Sequence, residues 1–144
     1  MWAGLRRVLA GVSLPSLIGR DEDERFLEVR SADRAVIVRV RRSEIDAETS
    51  AGFSRALTAL LETAAGRPVV LDFGAVEFGG SPMLAALVLF RRRLAAAGGR
   101  LVLCRLRPFV RGTLEISKLD RIFPIRDTVK DALTVVQRPA TAQA

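Results

Sequence analysis

Residues 69–84 read VVLDFGAVEFGGSPML and contain, in order, an apolar run, a glycine-rich turn and the start of a helix. The run at residues 69–73 has the length of a strand and no polar alternation, which is typical of a strand buried on both faces of a parallel sheet. Ser81 follows at the position expected for a helix N-cap, with Pro82 at the first helical position. We therefore predict a central strand whose carboxyl end delivers Ser81 to the surface, where open α/β sheets place their working sites.

The composition predicts one globular domain without the usual catalytic residues. The 144-residue chain is 49% hydrophobic and 27% charged, and only 6% of it is aromatic, so its core must be mainly aliphatic. It has no histidine, which excludes Ser-His and Cys-His nucleophile pairs and the commonest metal ligand. The single cysteine, Cys104, lies in an apolar run and is predicted to be a buried hydrophobe. We expect a non-enzymatic protein with no metal and no other cofactor.

The net charge of +7 comes mostly from arginine. Such a balance suits an anionic partner such as nucleic acid or a membrane surface. The arginines are scattered in singles, pairs and one triplet, and the chain has only seven phenylalanines and one tryptophan to stack on bases. The sequence therefore favours solvated helix faces over nucleic-acid binding.

Residues 1–24 differ from the rest of the chain. Residues 8–19 form a mostly apolar run that is too short to span a bilayer and is followed by no clear signal-peptide cleavage site. Residues 21–24, DEDE, are predicted to be an acidic linker. An apolar stripe at helical spacing is formed by Trp2, Leu5, Leu9 and Val12. Three alternatives follow: the segment docks on its own domain, pairs with another copy or another protein, or makes a peripheral membrane contact.

The pattern downstream predicts an antiparallel hairpin followed by parallel βαβ units. Runs rich in β-branched residues at 26–30 and 35–40 are joined by a short turn. Asp46 is predicted to cap the next helix, which leads to the central strand through a right-handed crossover. We predict an α/β fold with a mixed sheet of four to five strands packed against about four helices. The predicted domain spans residues 25–137, and residues 138–144 form a flexible tail.

Two features frame the predicted site at Ser81. The helix that follows carries small or apolar residues largely off its core face, which are either scattered exposed residues or a shallow contact patch. The double glycine before Ser81 is predicted either to allow a tight turn with positive φ or to receive an anion. The partner-binding candidates are Gly79, Gly80, Pro82, Ala85, Ala86 and Leu89.

Several stretches together carry a family resemblance. They are SEID at 43–46, VVLDF at 69–73, VEF at 76–78, GGRLVLC at 98–104, LRPFVR at 106–111 and LDRIFPIRDT at 119–128, with Ala132 and Leu133. In this order and spacing, the chain from about Phe26 to Val136 resembles the STAS domain, which is found in anti-sigma factor antagonists and in the tails of sulfate transporters. The resemblance implies a STAS fold and a cytoplasmic protein-interaction module of a bacterial signalling pathway.

The resemblance also implies a modification site. Antagonists of this family usually carry Asp-Ser-Ser-Gly after the central strand, and a kinase that is also an anti-sigma factor phosphorylates the first serine. The matching residues are Gly80, Ser81, Pro82 and Met83, so Ser81 falls on the phosphoacceptor and the other three depart from the motif. Lys118 replaces the glycine of the family's Ser-Gly-Leu turn.

Besides a small-molecule binder that receives a nucleotide at Gly79, Gly80 and Ser81, two interpretations of function remain open. In the first, the chain is an anti-sigma factor antagonist switched by phosphorylation of Ser81. In the second, Ser81 is only a helix cap, and the chain is a scaffold that self-assembles through its amino-terminal extension or a regulatory subunit of a membrane transporter.

Overall fold

A computed structural model describes residues 25–32 and 34–136 of the chain. Within these ranges no helix is long and apolar enough to cross a membrane. Its strands and α-helices are β1 (Leu27–Ser31), β2 (Val36–Val40), β3 (Glu44–Ile45), α1 (Ser50–Ala64), β4 (Val69–Asp72), β5 (Phe78–Gly79), α2 (Ser81–Ala96), β6 (Leu101–Cys104), α3 (Pro108–Ile116), β7 (Ile125–Arg126) and α4 (Val129–Val136), and a 3-10 helix (Leu119–Arg121) precedes β7.

The main sheet has five strands in the order β1-β2-β4-β6-β7. Strand β1 is antiparallel to β2, and every other neighbouring pair is parallel. All residues of β4 and β6 are buried, as expected for strands that have a neighbour on each side and a helix layer on each face. The predicted hairpin, the central position of β4 and the mixed α/β fold are confirmed.

Alternate residues of these strands pack against different helices. Val69 and Leu71 belong to the larger core with α1 and α2, whereas Val70 and Cys104 belong to a smaller core with α4. Because both faces are covered, β4 and β6 are apolar at every position except Asp72, the last residue of β4. Burial raises the pKa of the Cys104 thiol to about 12, so this thiol stays protonated at neutral pH.

A second, two-stranded sheet was not predicted. Strands β3 and β5 pair in parallel, with Ile45 opposite Gly79. The backbone N–H groups of Glu77 and Phe78 both donate to the carbonyl of Ser43, at 2.7 and 3.1 Å. This pairing directs the chain between β4 and α2, and therefore sets the approach to Ser81.

Side chains accept hydrogen bonds at the start of α4 and before α1. The Thr128 hydroxyl accepts a hydrogen bond from Asp131 N–H at 3.0 Å and so caps α4. The Asp46 carboxylate accepts bonds from Glu48 and Thr49 N–H, at 3.0 and 2.9 Å, but regular helix α1 begins only at Ser50. Asp46 therefore caps the turn before the helix. Its hydrogen bonds with Thr49 hold the pKa of Asp46 below its ordinary value.

Lys118 adopts the left-handed backbone conformation, with φ of +61°. Replacing Lys118 with glycine is expected to raise the free energy of unfolding by about 0.5–1 kcal/mol, because glycine adopts this conformation without a steric penalty. Urea denaturation measures the change. Lys118→Ala is the control, since it keeps a β-carbon and should give no gain. Equal gains in both variants would contradict a backbone origin.

Candidate functional site

The loop between β4 and α2 is anchored by a buried ion pair. The Asp72 side chain is fully buried, and its Oδ2 lies 2.9 Å from Arg105 Nη1. Its Oδ1 accepts a hydrogen bond from the backbone N–H of Gly74 at 2.8 Å. One carboxylate therefore joins the end of β6 to the first turn of the loop, at the carboxyl edge of the sheet.

The rest of the loop is held by residues at the start of α3. Arg107 donates from Nε to the carbonyl of Gly74 at 2.9 Å, and its Nη1 lies 3.6 Å from Glu77 Oε1. The rings of Phe78 and Phe109 stack, with centroids 4.4 Å apart and planes inclined by 28°. Loop and helix therefore form one surface.

Ser81 lies one position further into the helix than predicted. Gly80 is the N-cap residue, with extended backbone angles, and its carbonyl accepts the bond from Leu84 N–H at 3.2 Å. Ser81 is thus the first helical residue and Pro82 the second. The predicted capping role of Ser81 is wrong, because the helical hydrogen bonds begin one residue earlier. Within the described ranges the exposed Ser81 side chain makes no hydrogen bond.

Of the two predicted roles of the double glycine, the tight turn with positive φ is wrong. Gly79 and Gly80 both lie outside the positive-φ region. A Cβ placed on Gly79 would lie 2.2 Å from Met83 Sδ, whereas the nearest atom to a Cβ on Gly80 is Pro82 Cδ at 3.9 Å. Met83 is fully buried, so its side chain fills the space that the missing Cβ leaves. Gly79 therefore leaves room for the packed Met83 side chain. Gly80 is required neither by packing nor by a positive φ angle.

The predicted contact patch is smaller than expected on α2. Ala85 is exposed and Leu89 is 40% exposed. Ala86 is only 8% exposed, so its predicted position off the core face is wrong. It belongs to the core that α1 and α2 share, because the two helices pack along that side. Gly79 is buried, and Pro82 lies exposed beside Ser81.

Sequence reasoning missed the aromatic part of this surface. Phe78 is 43% exposed and Phe109 is 49% exposed. The position of Phe109 in the helical repeat of α3 could have revealed its exposure. Val110 and Leu114 form the buried stripe of α3, and Phe109 falls just outside it.

The last predicted site residues are the contact candidates of the amino-terminal segment. Trp2, Leu5, Leu9 and Val12 lie outside the described residues, and their contacts stay predictions.

Comparison with known proteins gives the family. The STAS domain model matches residues 26–132. BtrV, a candidate anti-sigma factor antagonist of Bordetella bronchiseptica, is 40% identical over 62 residues, which cover 43% of this chain and 53% of that protein. The match therefore spans about half the length of this curated relative.

Solved structures share the fold over most of the chain. An anti-sigma factor antagonist from Mycobacterium paratuberculosis is 30% identical, with a TM-score of 0.69, over 78% of this chain and 93% of that one. A candidate anti-sigma factor antagonist from Thermotoga maritima is 23% identical, with a TM-score of 0.71, over 83% and 100% of the two chains. With residues 26–132 matched by the family model and its fold shared with these structures, this chain belongs to the STAS domain family.

Proposed function

We propose that the protein is a non-enzymatic anti-sigma factor antagonist whose binding to an anti-sigma factor is switched by phosphorylation of Ser81. The observation that carries the proposal is the exposed Ser81 hydroxyl at the start of α2, which makes no hydrogen bond within the described residues. Exposed apolar side chains at Leu89 and Phe78 lie on the same helix and in the preceding strand. The names of the relatives support this class of partner.

The helix start can accept a phosphate without a change of fold. The first N–H groups of a helix have no intrahelical partner, and the dipole places partial positive charge there. Pro82 has no N–H, so the donors nearest the hydroxyl are the backbone N–H groups of Ser81 and Met83. A phosphate adds about −1.5 to −2 charges at neutral pH and can bind these groups.

The effect on a partner follows from the position of that charge. A partner that packs on Ala85, Leu89 and the ring of Phe78 must desolvate the region around Ser81. Burying a dianion there is costly unless the partner supplies a matching cation. Phosphorylation therefore weakens the complex through local charge, and this chain needs no catalytic residue.

Ser81→Glu is expected to reduce affinity for a kinase-type anti-sigma factor at least tenfold, which corresponds to about 1.4 kcal/mol. Tagged wild-type protein is used to capture that factor from its native cells, and calorimetry then measures the dissociation constant for each variant. Ser81→Ala is the matched control and should keep the wild-type affinity. Because Ser81 caps no helix, the free energy of unfolding of Ser81→Ala should differ from that of the wild type by less than about 0.5 kcal/mol.

Incubating the captured kinase with ATP and the wild-type chain should phosphorylate Ser81, as read by mass spectrometry. Equal affinities for all three proteins and an unmodified Ser81 would contradict the switch. They would favour the scaffold or transporter-subunit alternative, which the departures at Gly80 and Met83 from the family motif also favour. Light scattering of the chain with and without residues 1–20 then tests self-assembly.

A further inference from the structure

The outer side of α3 carries an exposed apolar strip, which we call the α3 face and define as Phe78, Phe109, Gly112 and Ile116. Phe109 and Ile116 are seven residues apart on one helix, so they point in the same direction. Ile116 is 86% exposed, the highest value among the large exposed apolar side chains of the described residues. Gly112 lies between them, and a Cβ there would meet no atom within 4 Å. The α3 face is therefore an exposed apolar surface with open space at Gly112.

The described chain begins near the carboxyl ends of the parallel strands, and the α3 face lies at the same end of the sheet. Leu27, the first residue of β1, pairs with Val40, the last residue of β2. The carboxyl ends of β4 and β6 lie at that same edge and lead to Phe78 and to α3. Strand β6 is three strands from β1, which is about 15 Å at ordinary strand spacing.

The length of the preceding segment matches this distance. Residues 13–24 are twelve residues that extend to at most about 40 Å, so residues 2–12 can reach the α3 face. As a helix, residues 2–12 would be about 16 Å long, close to the length of α3. The apolar pattern and the length of that segment both fit.

We propose that residues 2–12 of this chain bind its own α3 face, in the same molecule, as an amphipathic helix. The apolar stripe covers Phe78, Phe109 and Ile116. This inference goes beyond the function proposed above and does not depend on the identity of any partner.

Trp2 is the only tryptophan of the chain, so its fluorescence reports directly on this contact. In the full-length protein at low concentration, its emission is expected to be blue-shifted relative to the urea-unfolded chain. Phe78→Ser combined with Phe109→Ser should move the emission to the unfolded value. Leu5→Ser combined with Leu9→Ser should do the same without altering the folded domain. Circular dichroism checks that each variant is folded.

The matched control is Ile122→Ser. Ile122 is 38% exposed and lines a separate groove with Leu101, at the amino end of β6. This change should leave the emission blue-shifted. The proposal is overturned if wild-type emission equals the unfolded value, or if Ile122→Ser shifts it and the phenylalanine changes do not. A blue shift that grows with protein concentration, or that needs anionic lipid vesicles, would also overturn it in favour of a second copy or a membrane.

Discussion

Replacing Arg105 with methionine is expected to lower the free energy of unfolding by about 3–5 kcal/mol. The change removes the cation that lies 2.9 Å from the fully buried carboxylate of Asp72. Methionine keeps much of the length and the packing of the arginine stem, so the loss is mainly electrostatic. Urea denaturation followed by circular dichroism measures it. Because the same carboxylate binds Gly74 N–H, the loop toward Ser81 should also become less ordered.

Arg107→Met is the matched control for this prediction. Arg107 lies two residues away and also contacts the loop, but it and Glu77 are exposed, with an N–O distance of 3.6 Å. An exposed pair of this kind contributes about 1 kcal/mol or less. Similar losses in the two variants would show that burial of Asp72 is not the source of the effect. A double variant, Asp72→Leu with Arg105→Met, should recover much of the stability that Arg105→Met loses, because neither buried charge remains.

Gly79→Ala is expected to lower the free energy of unfolding by about 1–3 kcal/mol, because its Cβ must displace the buried Met83 side chain. Gly80→Ala is the matched control on the adjacent residue. It has room for a Cβ and an extended backbone, so it should lose only about 0.5–1 kcal/mol of capping free energy. Thermal and urea unfolding of both variants provide the comparison.

A double-mutant cycle tests the cause of the Gly79 effect. In a Met83→Ala background the clash is removed, so adding Gly79→Ala should cost little further stability. Additive losses would mean that Gly79 acts through something other than Met83. The same pair explains one departure from the family motif, since the methionine that replaces the motif glycine is a core residue that packs over Gly79.

The candidate site was only partly predictable from the sequence. The surface position of Ser81 follows from a buried strand, a turn and a helix in sequence order. Such local signals predict well where the chain leaves the sheet. Its role as a cap was misassigned because the choice between Gly80 and Ser81 depends on one backbone conformation. Ala86 was misassigned because helical periodicity alone does not show that α1 packs along that side of α2.

The sequence by itself determined the hairpin, the buried central strands, the order of helices and strands and the inert character of Cys104. Each of these depends on hydrophobic periodicity or chain order, which are properties of neighbouring residues. Only the tertiary structure decided the β3–β5 pairing, the Phe78–Phe109 surface and the Asp72–Arg105 pair. Asp72 and Arg105 are 33 residues apart, and no local pattern marks them as partners. They meet because β4 and β6 are parallel neighbours whose carboxyl ends share one edge of the sheet.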